Sequence, residues 1–287
     1  MLNLLDAVVQ GILLGGLYTL FAAGLSLVFG VMRLVNIAHG DFIVLGAYIA
    51  LAVVSLTGLH PFLSLVIVVP LMALLGYALQ RLVLERTMGE DLLPPILVSF
   101  GLAIIIQNLL LTFYSTDAQR LSAGRIETAS ISLGPISIGV LPLLTFAIAV
   151  ALIAAMEFIF FRSRIGRAFR ATSDDPETAR AIGVSTRHVF GLAMALSFAV
   201  IAIASVLLAA RSSFDPFSGP ARLLYGFEAV IIGGLGNLWG TLAGGIVLGV
   251  AQTLGAQVSP SFQILAGHIV FFVILALRPR GLFPRMD

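Results

Sequence analysis

Apolar residues run along this chain in long blocks separated by short polar connections, at about 8–30, 41–57, 62–80, 95–114, 138–161, 189–210, 224–257 and 262–277. A helix needs about 20 residues to cross roughly 30 Å of hydrocarbon, and most of these blocks meet that length. The short alternating segments of a membrane barrel are missing. The pattern predicts an all-α polytopic membrane protein of about eight transmembrane helices, one domain over residues 1–287. The block at 224–257 differs from the others. Its "YGFEAVIIGGLGNLWGTLAGGIVLG" has glycines at 226, 233, 234, 236, 240, 244 and 245, which predicts a segment broken near 233–240, as a re-entrant pair or two crossings. The "GTLAG" spacing after the break predicts close helix packing.

Composition agrees with the pattern. The chain is 59% hydrophobic and 10% charged, with a mean hydropathy of +1.09, whereas a soluble domain carries about 25% charged residues. All sixteen basic residues are Arg, and Cys is absent. Without Lys there is no Walker A loop and no Schiff-base lysine, and without Cys there is no disulfide, thiolate nucleophile or Cys-ligated metal. No GxSxG occurs and the four His are far apart in sequence, so a hydrolytic enzyme is not supported. The net charge is +2, but outside one loop and the tail the arginines are scattered singly, and no nucleic-acid partner is expected. The start, "MLNLLDAVVQ", lacks a basic n-region and reads as the lead-in to a retained helix.

Arginine counts give an orientation. With the connections 31–40, 81–94, 162–188 and the tail 278–287 on one side, that side holds Arg33, Arg81, Arg86, the six from Arg162 to Arg187, Arg278, Arg280 and Arg285, twelve of the sixteen. The positive-inside rule makes that side cytoplasmic, with the N-terminus outside and the C-terminus inside. Parity then requires 224–257 to begin and end outside, which is why a break is needed. The longest outside connection, 115–137, is β-prone at "ISLGPISIG" around a Gly134-Pro135 turn.

Two polar regions stand out. In "NIAHGDFIVLG", Asn36, His39 and Asp41 interrupt a membrane segment, and Asn36 or Asp41 is placed to cap the following helix. No nearby partners complete a metal site. In 162–188, "RSRIGRAFRA" reads as a cationic surface helix with Ile165 and Phe169 on one face. "SDDPETARAIGVST" then specifies a helix from about 176 to 182: Asp175 as N-cap, Pro176 at the first position, Glu177 at the positive dipole end, and Gly183 as a left-handed stop. Ser185 or Thr186 is offered as the next N-cap.

Glu177, Ala179 and Gly183 resemble the coupling-loop motif of ABC importer permeases, with Thr178 in place of the first Ala and the downstream part of the motif absent. "GVMRLVNIAHGDFIVLGAYIA", "GRAFRATSDDPETARAIGV", "GFEAVIIGGLGNLWGTLAGGIVLG" and "LRPRGLF" extend the resemblance over the chain, to branched-chain amino acid importer permeases of the LivH type. The resemblance implies a single permease domain in a prokaryotic inner membrane, paired with a related second permease, two cytoplasmic ATPases and an external binding protein. ATP and Mg would be bound by those partners, and this chain would hold no cofactor. Phe169, Ile182 and Val184 are the expected packing contacts for an ATPase, with Glu177 and Arg180 the polar ones. Ionisable groups within membranes are costly and often functional, and broken helices mark transport sites, so Asn36, His39, Asp41, Glu228, Gly233 and Gly236 are the candidates for the translocation path. Gln107, Asn108, Glu157 and His268 are further polar positions within spans. A urea or short-amide permease, and a helical channel that needs no ATPase, are the alternative readings.

Overall fold

The computed structural model describes residues 2–89, 91, 93–134 and 136–283. Arg285 and Pro135, both used above, lie outside the described residues. The elements are α1 (Leu2–Met32), α2 (His39–Thr57), α3 (Pro61–Leu82), α4 (Leu93–Tyr114), α5 (Arg125–Thr128), strands β1 (Ser130–Leu133) and β2 (Ile136–Gly139), α6 (Val140–Arg162), α7 (Arg164–Asp174), α8 (Pro176–Ala181), α9 (Thr186–Arg211), α10 (Gly219–Gly233), α11 (Leu238–Val258) and α12 (Phe262–Leu277). Among the described residues, seven helices are long and apolar enough to cross a membrane: α1, α2, α3, α4, α6, α9 and α11. α12 is apolar but shorter, and α10 has only 15 residues. The Gly-rich block is therefore two helices joined by a turn at 234–237, a break within the expected 233–240.

Local chemistry fixes most ends. His60 accepts the Phe62 N–H through Nδ1 ahead of Pro61 at the first position of α3, and Asn237 Oδ1 accepts the Gly240 N–H at 2.8 Å to start α11. The connection 115–139 folds over one end of the bundle. There β1 and β2 form an antiparallel hairpin, and the Gln119 backbone pairs with that of Phe214. This is the hairpin end, and the Gln10 amide reaches the Ser137 carbonyl to place the start of α1 there. The opposite, arginine-rich end holds α7, α8 and the turn at 234–237, with the C-terminal end of α1 tied to it by Ser173 Oγ on the Gly30 carbonyl at 2.6 Å.

α1 and α9 are the inner pair, mostly buried, while α3, α4 and α6 leave most of their surface to the surroundings. Exposed Val66 and Leu74 on α3 and Phe100 and Phe113 on α4 present the apolar face that lipid requires. α1 crosses α9 where Ser197 donates to the Gly24 carbonyl at 2.9 Å. α1 and α11 run antiparallel at very close range, because glycines 11 and 15 face glycines 245 and 249. A Cβ at Gly15 would lie 2.6 Å from Ile246 Cα, so close backbone contact joins this pair, together with the Thr241–Ser26 and Tyr18–Gln252 hydrogen bonds.

α2 does not begin at the arginine-rich end. Its first residue, His39, donates from Nε2 to the Phe21 carbonyl at 2.8 Å, eleven residues before the end of α1 at Met32, or roughly 16 Å back along that helix. Residues 33–38 therefore return into the bundle without helical structure. Their N–H groups find partners there: Ile37 on Ser99 Oγ at 3.1 Å and Ala38 on Asn36 Oδ1 at 3.1 Å. Non-helical backbone at membrane depth needs such cover. α10 begins beside α2, with Gly219 packed on Gly40. From there α2 runs to the hairpin end, where Tyr48 meets Phe214 edge-on, and α10 runs to the arginine-rich end. α1–α2–α3 and α9–α10–α11 thus form two inverted halves: α11 lies on α1 as α3 lies on α9, and α10 packs on α1 as α2 packs on α9.

Candidate translocation elements and coupling loop

The loop 162–188 is anchored more firmly than its composition suggests. Ser163 caps α7 by accepting the Gly166 N–H at 2.9 Å, and Gly166 sits against the last carbonyls of α6 with no room for a side chain. Phe169 is 1% exposed, its ring 5.8 Å from Phe160. Arg170 donates to the Phe160 carbonyl and lies 5.1 Å over the Phe161 ring. This corrects one expectation: Phe169 offers nothing to a partner, because it is the plug that holds α7 to α6. The basic face carrying Arg164 and Arg167 is exposed, as a cationic surface helix requires.

α8 has both predicted stops. Asp175 Oδ1 accepts the N–H groups of Glu177 at 2.9 Å and Thr178 at 3.1 Å, and Oδ2 accepts the Thr178 hydroxyl at 2.5 Å. The Thr178 hydroxyl bond first, then the N–H bonds, holds this exposed carboxyl below its ordinary value. At the other end Gly183 has φ +89°, Val184 N–H bonds the Ala179 carbonyl at 2.9 Å, and Gly183 N–H bonds the Arg180 carbonyl at 3.0 Å. That is a Schellman termination with its Ala179–Val184 apolar pairing. Ala179 is buried and Val184 half-buried, so both serve the loop itself. Arg180 Nε bonds Thr186 Oγ1 at 3.0 Å, tying α8 to the start of α9. Ser185 occupies the N-cap position of α9, as expected, but makes no side-chain cap bond. Glu177 is exposed, and Ile182 is 72% exposed, a large apolar side chain left outside.

The path candidates divide into two groups. Asn36, His39 and Asp41 are buried at the start of α2, with Gln107 of α4 donating to Asp41 Oδ1 at 2.8 Å. Of the two capping candidates, Asn36 accepts the Ala38 N–H, while the Asp41 carboxylate bonds its own backbone N–H as well as Gln107. Glu228 on α10 is 1% exposed and meets His268 Nδ1 at 2.5 Å, so α2 and α10 are each joined to an outer helix, α4 and α12, by a polar pair. Gly233 and Gly236 lie at the arginine-rich end. Gly233 is pressed on Gly240, and Gly236, at φ +78°, borders a cavity of about 670 Å³ that it shares with Glu157, Arg170 and Asn237. Asn36, His39, Asp41 and Glu228 line neither this cavity nor a smaller one described below. Asn36 and His39 bond the backbone, and Asp41 and Glu228 bond Gln107 and His268 on outer helices, so the six candidates do not form one continuous lining.

One contact had no signal in the sequence beyond the glycines. The segment after α12 folds back on the break: Leu282 N–H bonds the Ile232 carbonyl at 2.8 Å, Phe283 N–H the Gly233 carbonyl at 3.0 Å, and Asn237 Nδ2 the Phe283 carbonyl at 2.9 Å. Gly234 and Gly281, both at positive φ, touch there. The tail thus closes the carbonyls that end α10.

Apolar spans with two helices, α2 and the shorter α10, that start face to face inside the bundle, and a capped loop held at one end, define a multi-pass helical transport permease. It is a transport subunit and not an enzyme. The chain belongs to the family described as branched-chain amino acid transport system, permease component, which it matches over residues 7–277. It is 26% identical to the high-affinity branched-chain amino acid transport system permease protein BraD of Pseudomonas aeruginosa, over 99% of this chain and 96% of that protein. It is 27% identical to the permease protein LivH of Escherichia coli, over 100% of this chain and 97% of LivH. LivM of the same organism is 26% identical, over 93% of this chain and 68% of LivM. No solved structure matches the chain.

Proposed function

We propose that this chain is one of two membrane subunits of an ATP-driven importer for branched-chain or similar apolar amino acids in a prokaryotic inner membrane. The arginine-rich end faces the cytoplasm and the hairpin end faces outside, where a binding protein delivers the substrate. The second subunit is a related permease, in keeping with the similarity of the chain to both LivH and LivM. Two ATPases grip the loop 162–188. The observation that carries this reading is the construction of α7 and α8: α7 is clamped to α6 and α1, α8 is capped at both ends and tied to α9, and Glu177 and Ile182 still point outward. A helix of 6 residues is marginal alone, and so rigid a projection suits the transmission of force from a partner. Ser173 of α7 bonds the Gly30 carbonyl and Gly30 lies against Gly236 of the Gly-rich turn, which gives motion of α7 a route to α10 and α11.

The test is uptake of labelled leucine, isoleucine or valine by proteoliposomes holding the chain with its companion permease, ATPases and binding protein. Uptake that needs both ATP and the binding protein is expected. Uptake without nucleotide, or failure of the ATPases to purify with the permease, would overturn the reading in favour of a channel. Preference for urea or amides over amino acids would overturn the substrate assignment alone.

A further inference from the structure

A cavity of about 310 Å³ lies toward the hairpin end, between α1, α9, α10, α11 and α12. Its size suits one small solute. Leu14, Leu17 and Leu208 form part of its wall, while Arg211, Arg222 and Gln252 also border it, and no carboxylate is among its lining residues. The hydrogen bonding of Arg211, Arg222 and Gln252 is incomplete. Gln252 is 1% exposed, and its Oε1 accepts the Tyr18 hydroxyl at 2.5 Å, which leaves the Nε2 donors buried without an acceptor. The buried Arg222 Nε also has none. Arg211 makes one 3.3 Å bond, to the Leu13 carbonyl. Buried donors without acceptors are a standing penalty, and since Gln252 Nε2 and Arg222 Nε are closed off from the cavity, an acceptor held there removes it by drawing the two side chains round. Arg222 also lies in the first turn of α10, whose N-terminal dipole adds to the positive field.

We propose that this cavity is a subsite for the α-carboxylate of an apolar amino acid in transit, a reading that rests on the importer function above. The carboxylate meets Arg222, Gln252 and Arg211, in the fork geometry that suits guanidinium groups, and the aliphatic side chain lies on the leucine wall. A neutral amide or urea brings no charge to the two arginines, so the site selects amino acids within the permease itself. A lipid phosphate shares the oxyanion chemistry, and the test separates the two.

The assembled importer in nanodiscs carries Ile264→Cys, a single thiol on the cavity lining of a Cys-free chain. Millimolar L-leucine is expected to slow its labelling by a thiol reagent, and leucinamide to leave it unchanged. Arg222→Gln is expected to abolish the protection and lower uptake roughly tenfold, with Arg222→Lys restoring part of it. ATPase stimulation by the loaded binding protein should persist in these variants. Equal protection by leucine and leucinamide, or uptake by Arg222→Gln within about twofold of the parent, overturns the proposal. So does protection that follows the phosphatidylglycerol content of the nanodisc instead of the amino acid. If Arg222→Gln fails to reach the membrane, the leucine and leucinamide comparison on Ile264→Cys decides alone. Loss of uptake in the parent assembly itself counts against the importer reading, while the labelling result still reports on the subsite.

Discussion

At Gly183 the backbone turns through φ +89° with no heavy atom within 4 Å of where a Cβ would stand. Strain, and not a clash, therefore sets the effect of a substitution. Gly183→Leu should cost about 1–2 kcal/mol locally, loosen the 184-to-179 closure and misplace Ile182. Hydrogen exchange over 176–184 should accelerate while membrane abundance stays normal, and uptake and ATPase co-purification should fall. Normal uptake with retained ATPases would remove α8 from the coupling role. Asp175 adds a pH test. Its carboxyl is held below the ordinary value by Thr178 first, so its contribution to the cap is complete above the unfolded-state pKa and is lost as pH falls through the lower folded value. Protection of α8 should therefore survive mild acidification and disappear only below the usual aspartate range, whereas Asp175→Asn should show weaker protection without that acid limb. The caps at 175 and 183 were legible because they depend on residues within one turn of each other. The burial of Phe169 was not, since Ile165 and Phe169 share a periodicity whichever surface α7 lies on, and only the packing of Gly166 on α6 decides which.

Among the elements, the closest pairing is α1 with α11, and it tests packing directly. A Cβ at Gly245 would approach Thr19 Oγ1 at 2.5 Å and the Gly15 carbonyl oxygen at 2.7 Å. Gly245→Val should force these helices apart at a cost of about 1–3 kcal/mol, seen as a lower thermal midpoint in detergent and reduced abundance. Val247→Ala, on a half-buried position of the same helix, should be much milder. Equal effects of the two would show that close backbone approach does not hold the pair. The break after Gly233 was legible from glycine density and parity together. The starting depth of α2 was not: an extended return through 33–38 depends on Ser99, sixty-two residues away from Ile37, and no local pattern encodes that partner. The fold-back of 281–283 on 232–234 escaped for the same reason, as its glycines read as an ordinary tail until Gly234 and Gly281 are seen to touch.

For the whole molecule, inversion of the two halves has a consequence for how movement is shared. α2 and α10 start against each other through Gly40 and Gly219 and end at opposite faces, so a shift of α10 driven from the 234–237 turn is felt at the α2 start, and through Tyr48 and Phe214 at the hairpin end. Such a lever works only if the two faces are on opposite sides of the bilayer in the proposed sense. Ser132→Cys on the exposed hairpin and Ile182→Cys on α8 report those faces, and the parent chain has no cysteine to confuse them. In intact cells an impermeant thiol reagent should label position 132 and spare 182. A permeant reagent should reach both, and bound ATPases should slow labelling at 182 alone. Labelling of 182 by the impermeant reagent would reverse the orientation and place the capped handle outside, where no ATPase could use it. Equal labelling of 182 with and without the ATPases would leave the topology intact and move the grip elsewhere, with the exposed face of α7 around Arg164 and Arg167 as the next surface to probe.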